Sequence, residues 1–256
     1  MEKLKATGFS RIVLPMAGFN RRMMRKRVLQ IGRNRVIGAL VFVAACSVVS
    51  AQSCDLTKTL AQMDTASAQF KSLQADFVWD EFQAVVQEDD DQSGTIYFVR
   101  HGGSTSVAAN IQKPAVKKLT FDGSELIIYT PGPNEELIYS AAKNKDQVEG
   151  FLTLGFGGSG ADLKKNWDVT CAGMETIAGT PTVKLALISK EDSVRNMFSK
   201  VTIWVDPTRA ISLKQVFEQP SGDKRTNTFT NIKENAAINP GVFKIKTAPN
   251  PSITRK

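Results

Sequence analysis

Apolar residues in this chain recur first at helical spacing and then at strand spacing. Between Asp55 and Leu73 the positions Leu56, Leu60, Met63, Phe70 and Leu73 fall on one helical face, with Asp55 placed to cap it. From Phe77 the period becomes two. Phe77–Phe82 alternates as an aromatic-rich strand, and the acidic run Glu88–Asp91 reads as a solvated hairpin tip. In Gly94–Arg100 the residues Ile96, Phe98 and Arg100 share one face, while Thr95, Tyr97 and Val99 take the other. A guanidinium beside apolar surface needs a water-filled hollow or a partner crossing over it. The plainer alternative ends the strand at Arg100, its head bent into solvent and its stem covering apolar neighbours.

Further strands follow, each closed by turn residues. Lys118–Asp122 ends at Asp122-Gly123, Leu126–Tyr129 stops at Pro131-Gly132-Pro133, and Glu136–Tyr139 comes next. Asn144–Leu154 reads as a second helix, with Asn144 and Gln147 as a capping box and Val148, Phe151 and Leu152 as its apolar face. Gly155 and Gly157–Gly160 end it and supply flexibility beside it. Strands then run over Val183–Leu187, Val201–Val205, Ile211–Phe217, Thr226–Lys233 and Val242–Lys246. About ten strands with hairpin-length connections predict a mostly β fold, an open (unclosed) antiparallel β-barrel or strongly curved sheet. The few short helices suffice for a lid over an apolar cavity and not for a second layer.

Charge divides the chain. Residues 1–35 hold ten Lys/Arg and one acid, and an uncharged apolar run follows from Val36 to Ala51. This is the pattern of a secretory signal peptide, with Val49 and Ala51 at −3 and −1 of a cleavage before Gln52. Met23 and Met24 offer alternative starts within the long basic region, and the apolar run is short for a membrane span. The expected division is a leader over 1–51 and one domain over 52–256. The whole chain carries 33 basic and 25 acidic residues; without the leader 23 face 24, a net of about −1. A near-neutral domain excludes nucleic acid as a partner class. A competing reading takes Val43-Ala44-Ala45-Cys46 as a lipobox with acylated Cys46, although the apolar run continues past it through Val48-Val49. Cys54 and Cys171 remain after cleavage. In an oxidising compartment they permit one disulfide, and two free buried thiols are the alternative.

Catalytic chemistry is sparse. The single histidine, His101, stands in a His-Gly-Gly turn without the ligands of a zinc site or a nucleophile-elbow sequence. The glycines at 155–160 lack the Gly-Lys-Ser/Thr of a phosphate loop. No metal or cofactor is expected, and the chain does not read as an enzyme.

Several short segments together resemble the periplasmic outer-membrane lipoprotein-carrier (LolA-like) family. They are Gly94-x-Ile-x-Phe-Val-Arg100, Phe121-Asp-Gly123, Leu126–Tyr129, Pro131, Phe151–Leu154, Val201-x-Ile-Trp-Val-Asp206, Ile211-x-Leu213, Asn231-Ile232 and Asn239-Pro-Gly-Val-Phe243. The resemblance implies an unclosed barrel with a helical lid over an apolar cavity. Its members accept lipoprotein acyl chains at the inner membrane and carry them across the periplasm. The partners it implies are acylated lipoproteins or lipids, an inner-membrane exporter complex and an outer-membrane acceptor, with the carrier a monomer. The family's lid-latching arginine falls on Arg100. The chain departs from the family pattern directly afterwards, with His101–Val107 where the family has Arg-Pro and an aromatic-rich strand. Candidate cavity residues are Phe70, Leu73, Phe77, Ile96, Phe98, Leu119, Phe121, Phe151, Leu152, Leu185, Ile203 and Leu213. Each could equally serve an ordinary core. A membrane-tethered receptor or lipid-binding lipoprotein of the same fold, or an envelope sensor without cargo, are the alternatives.

Overall fold

The structure is a computed structural model that describes residues 54–141, 150 and 152–256. The leader with Cys46, and most of the helix expected over 144–154 including Phe151, lie outside the described residues.

Helix α1 (Leu56–Gln69) is capped by Asp55, whose carboxylate accepts from the Lys58 backbone N–H at 3.0 Å. It is shorter than the apolar spacing predicts, because Leu73 belongs to the first strand. Asn235 Oδ1 accepts from the backbone N–H groups of Lys71 and Ser72, and Arg100 N–H donates to the Lys71 carbonyl. These bonds draw the backbone after Phe70 into a sheet ladder instead of another helical turn.

The strands are β1 (Ser72–Gln83), β2 (Glu88–His101), β3 (Ser104–Lys113), β4 (Lys117–Phe121), β5 (Glu125–Thr130) and β6 (Glu135–Ser140) in the first half. After a short helix α2 (Gly160–Asn166) come β7 (Trp167–Ile177) and β8 (Thr180–Ser189). Helix α3 (Asp192–Arg195) leads into β9 (Lys200–Asp206), β10 (Ile211–Glu218) and β11 (Lys224–Glu234), and β12 (Ser252–Arg255) lies near the C-terminus. Among the described residues they form one twelve-stranded sheet in the order β12-β6-β5-β4-β3-β2-β1-β11-β10-β9-β8-β7. It is antiparallel except where β12 runs parallel to β6, and it does not close. The fold is mostly β and has the open architecture expected.

Two local expectations give way. The acidic run Glu88–Asp91 is not the hairpin tip but the start of β2, paired with Asp80–Gln83. The turn is Ala84–Gln87, where Gln87 takes φ 55° and Asp223 accepts from the Ala84 N–H at 2.8 Å. The strand expected over Val242–Lys246 is instead a 3-10 turn, Pro240–Phe243. Pro240 opens it, and Asn239 Oδ1 caps it through the Gly241 N–H.

Register collects the apolar residues. One row crosses six strands as Leu73, Phe98, Val107, Phe121, Leu126 and Tyr139, and the next as Ala75, Ile96, Ala109, Leu119 and Ile128. In the other half Leu185 pairs with Ile203, and Leu187 with Val201, which in turn faces Phe217. Paired residues of an antiparallel ladder share a face, so these rows form one continuous inner face.

Candidate functional site

The inner face is crossed by a strap, Leu154–Gly157. It pairs with the start of β10, where Ser212 N–H donates to the Gly155 carbonyl at 2.6 Å and Gly157 N–H to the Ala210 carbonyl at 2.9 Å. The Gln215 side chain donates to the Leu154 carbonyl. Phe156, 3% exposed, reaches over the sheet, stacking on Phe98 at 4.5 Å and meeting Phe229 edge-on at 4.7 Å. The strap thus fills the middle of the face with an aromatic ring of its own.

Arg100 stands at the edge of this arrangement and ties two elements together. One guanidinium nitrogen donates to the Ser67 carbonyl in the last turn of α1 at 2.8 Å, the other to the Gly157 carbonyl at 2.7 Å. Its carbon lies 5.1 Å from the centre of the Phe70 ring. A cation at a helix C-terminus complements the carbonyl dipoles there, and the flat ring supports the flat guanidinium. The Ser67 hydroxyl adds a third bond by donating to the same Gly157 carbonyl at 2.5 Å. Gly157 has φ 68°, and a Cβ there would collide with the Phe70 ring. Such close contact is not the flexible role expected of these glycines. Farther along, Ser159 caps α2, and a Cβ on Gly160 would strike the Leu60 backbone, so α1 and α2 meet without an intervening side chain.

At the other end of α1, Cys54 is joined to Cys171 on β7 by a disulfide, with Cα atoms 6.1 Å apart.

The candidate residues fall as follows. Leu73, Phe77, Ile96, Phe98, Leu119, Phe121, Leu185 and Ile203 all lie on paired inner-face positions and are buried. Phe70 lies under the clamp, not on the sheet. Leu213 is buried at the register shift between Ser212 and Lys214, outside the paired rows. Leu152 is helical and half-buried, and Phe151 lies outside the described residues. His101 is exposed at the β2–β3 turn, opposite Ser104.

The sequence reading missed Phe156, Ser67 and a polar row. Paired across β2, β1, β11 and β10 are Gln92, Trp79, Asn227 and Gln215, next to the Phe77–Phe229 pair. The signal available was alternation, since Asn227 precedes Phe229 and Gln215 precedes Phe217 by one strand period. Beyond this row Glu81 and Arg225 form a half-buried ion pair at 3.4 Å. Near the hairpin tip, burial and then the neighbouring Asp89 and Asp91 carboxylates push Asp80 above the ordinary carboxylate value.

Residues 68–246 match the family described as Outer membrane lipoprotein carrier protein LolA. No curated protein matches the chain. Among solved structures, an uncharacterized conserved protein from Thermus thermophilus is similar, with TM-score 0.50 and 11% identity over 78% of this chain and 98% of that one. The Pseudomonas aeruginosa MucA/MucB complex gives 0.47 and 16% over 75% and 62%. A LolA superfamily protein from Nitrosomonas europaea gives 0.38 and 13% over 75% and 99%. At 11% identity the likeness to the Thermus thermophilus protein is one of fold.

Proposed function

The chain belongs to the outer membrane lipoprotein carrier (LolA) family, and on that premise we propose that it shields lipoprotein acyl chains and carries them from the inner to the outer membrane. In this reading the leader exports it to the periplasm and is removed near Ala51. It then meets an exporter at the inner membrane and an acceptor at the outer. The observation that carries the proposal is the clamp of Arg100 on Ser67 and Gly157, set over an apolar face that the strap occupies with Phe156.

A face filled by its own side chain can be vacated for a ligand of similar character. Opening breaks two hydrogen bonds from a charged donor, about 1.5–3 kcal/mol each, and two neutral ones, Ser67 hydroxyl to Gly157 and Gly157 N–H to Ala210, about 0.5–1.5 kcal/mol each. Withdrawing Phe156 exposes a buried side chain at a cost of about 1.5–3 kcal/mol. At about 0.8 kcal/mol per buried methylene, roughly seven to fifteen methylenes offset that cost. A long acyl chain reaches this range and a short one does not. After release Phe156 and Arg100 return, so the closed state competes with cargo and helps unload it.

The test is native mass spectrometry of the exported protein with matched triacylated and unacylated lipopeptides. We expect binding of the acylated form alone, and release at least about tenfold slower from Arg100→Leu, which loses the bonds that favour closure. Binding of phospholipid without lipopeptide would change the cargo. Binding of neither would overturn the carrier reading.

A further inference from the structure

We propose that the row Gln92–Trp79–Asn227–Gln215 is a hydrogen-bonding subsite for a neutral group that both accepts and donates, an amide or a hydroxyl, at the polar end of a bound acyl amphiphile. The proposal rests on the carrier reading and adds to it the chemistry recognised beside the acyl chain.

The row lies on the inner face, one pair beyond Phe77 and Phe229, where carbon would be expected to continue. Two of its atoms are buried and unpartnered, the indole Nε1 of Trp79 and the side-chain oxygen of Asn227. Asn227 itself is 9% exposed. Buried polar atoms are nearly always satisfied, so an orphan donor and an orphan acceptor on paired residues point to a third group between them. Trp79 and Asn227 are direct partners across β1 and β11.

The neighbours fix which atoms are presented. Asn227 Nδ2 donates to Gln215 Oε1 at 3.2 Å, which leaves its oxygen as the free atom. Gln215 in turn donates to the Leu154 carbonyl, so the closed strap orients Gln215 and Gln215 orients Asn227. Phe77 stacks on Trp79 at 4.1 Å and holds the indole.

The complement of one donor and one acceptor is a group with one of each. An amide supplies C=O to Trp79 and N–H to Asn227, and a hydroxyl does both with one oxygen. An ester satisfies Trp79 alone. A carboxylate offers acceptors only, so it leaves the Asn227 oxygen unsatisfied and is itself costly to bury without a cation of its own.

The experiment compares N-methylpalmitamide with methyl palmitate, which differ only by N–H against O, as ligands of the exported protein. We expect the wild type to bind the amide about tenfold tighter, one hydrogen bond's worth. In Asn227→Leu the ratio should fall to about one, with the ester unchanged. In Trp79→Phe both ligands should weaken equally and the ratio should persist, which keeps the proposal testable if the Asn227 variant fails to fold. Equal binding of the two by the wild type would overturn the subsite, as would a preference surviving Asn227→Leu or undiminished binding to Trp79→Phe. A triacylated lipopeptide is the control. Its binding with no discrimination between the small ligands removes the subsite alone, and its failure to bind removes the carrier reading as well.

Discussion

The two ends of α1 are held by bonds of different kinds. Just before its first turn, Cys54 is covalently tied to β7. Its last turn is held by Arg100 and by the Ser67 hydroxyl, which together join it to the Gly157 carbonyl of the strap. The first bond survives every thermal fluctuation in an oxidising compartment, and the second opens at a cost of a few kcal/mol. A helix pinned at one end and latched at the other can lift without leaving the sheet. In the proposed carrier the disulfide would set the pivot, and Arg100 would set how often the helix lifts.

Breaking the pivot should have the largest effect. Replacing Cys54 and Cys171 with Ser frees a link across 117 residues, worth about 4–5 kcal/mol in the chain-entropy treatment. Urea unfolding should show that loss, and an equal midpoint for the two proteins would contradict it. Disturbing the latch should cost less. Gly157→Ala places a Cβ against the Phe70 ring at a left-handed φ of 68°. The closed strap should lose about 1–3 kcal/mol, seen as faster cargo uptake together with a similar fall in global stability.

The smallest effect lies away from both ends, at the acidic hairpin. Asp80 has its folded value raised, so its contribution to stability is present at low pH and declines as pH rises through that value. Asp80→Asn should stabilise the protein at neutral pH by no more than about 0.5 kcal/mol. The gain should be greatest at low salt and vanish in acid, where the carboxyls are protonated. Thermal scans against pH measure it, and a gain persisting in acid would assign it to packing instead of charge.

The difference between pivot and latch is partly legible in the sequence. The period-two pattern places Arg100 beside Ile96 and Phe98, and a charged head on that face already asks for a partner. Asp55 as a cap, and most of the strands, follow from local chemistry in the same way. The strap does not, because its meaning is non-local. Gly155-Phe156-Gly157 reads as a loop until Phe156 is seen against Phe98 and Phe229. The polar row is hidden for the same reason. Asn227 and Gln215 are ordinary as single residues, and only register puts them next to one another and to Trp79. Local rules also misplace the hairpin tip, where a charge run suggests a turn but Gln87 and Asp223 make one four residues earlier.

The measurement that tests most directly whether the strap yields to cargo is hydrogen exchange at Phe156 and Gly157, with and without a triacylated lipopeptide. The Gly157 N–H is held by the Ala210 carbonyl at 2.9 Å and the Phe156 N–H by the Thr153 carbonyl at 2.8 Å. If cargo displaces the strap, these two amides exchange faster in the loaded protein while the ladder of β1 and β2 stays protected. If they become more protected, or do not change although lipopeptide is bound, cargo lies elsewhere and Arg100 is a structural brace.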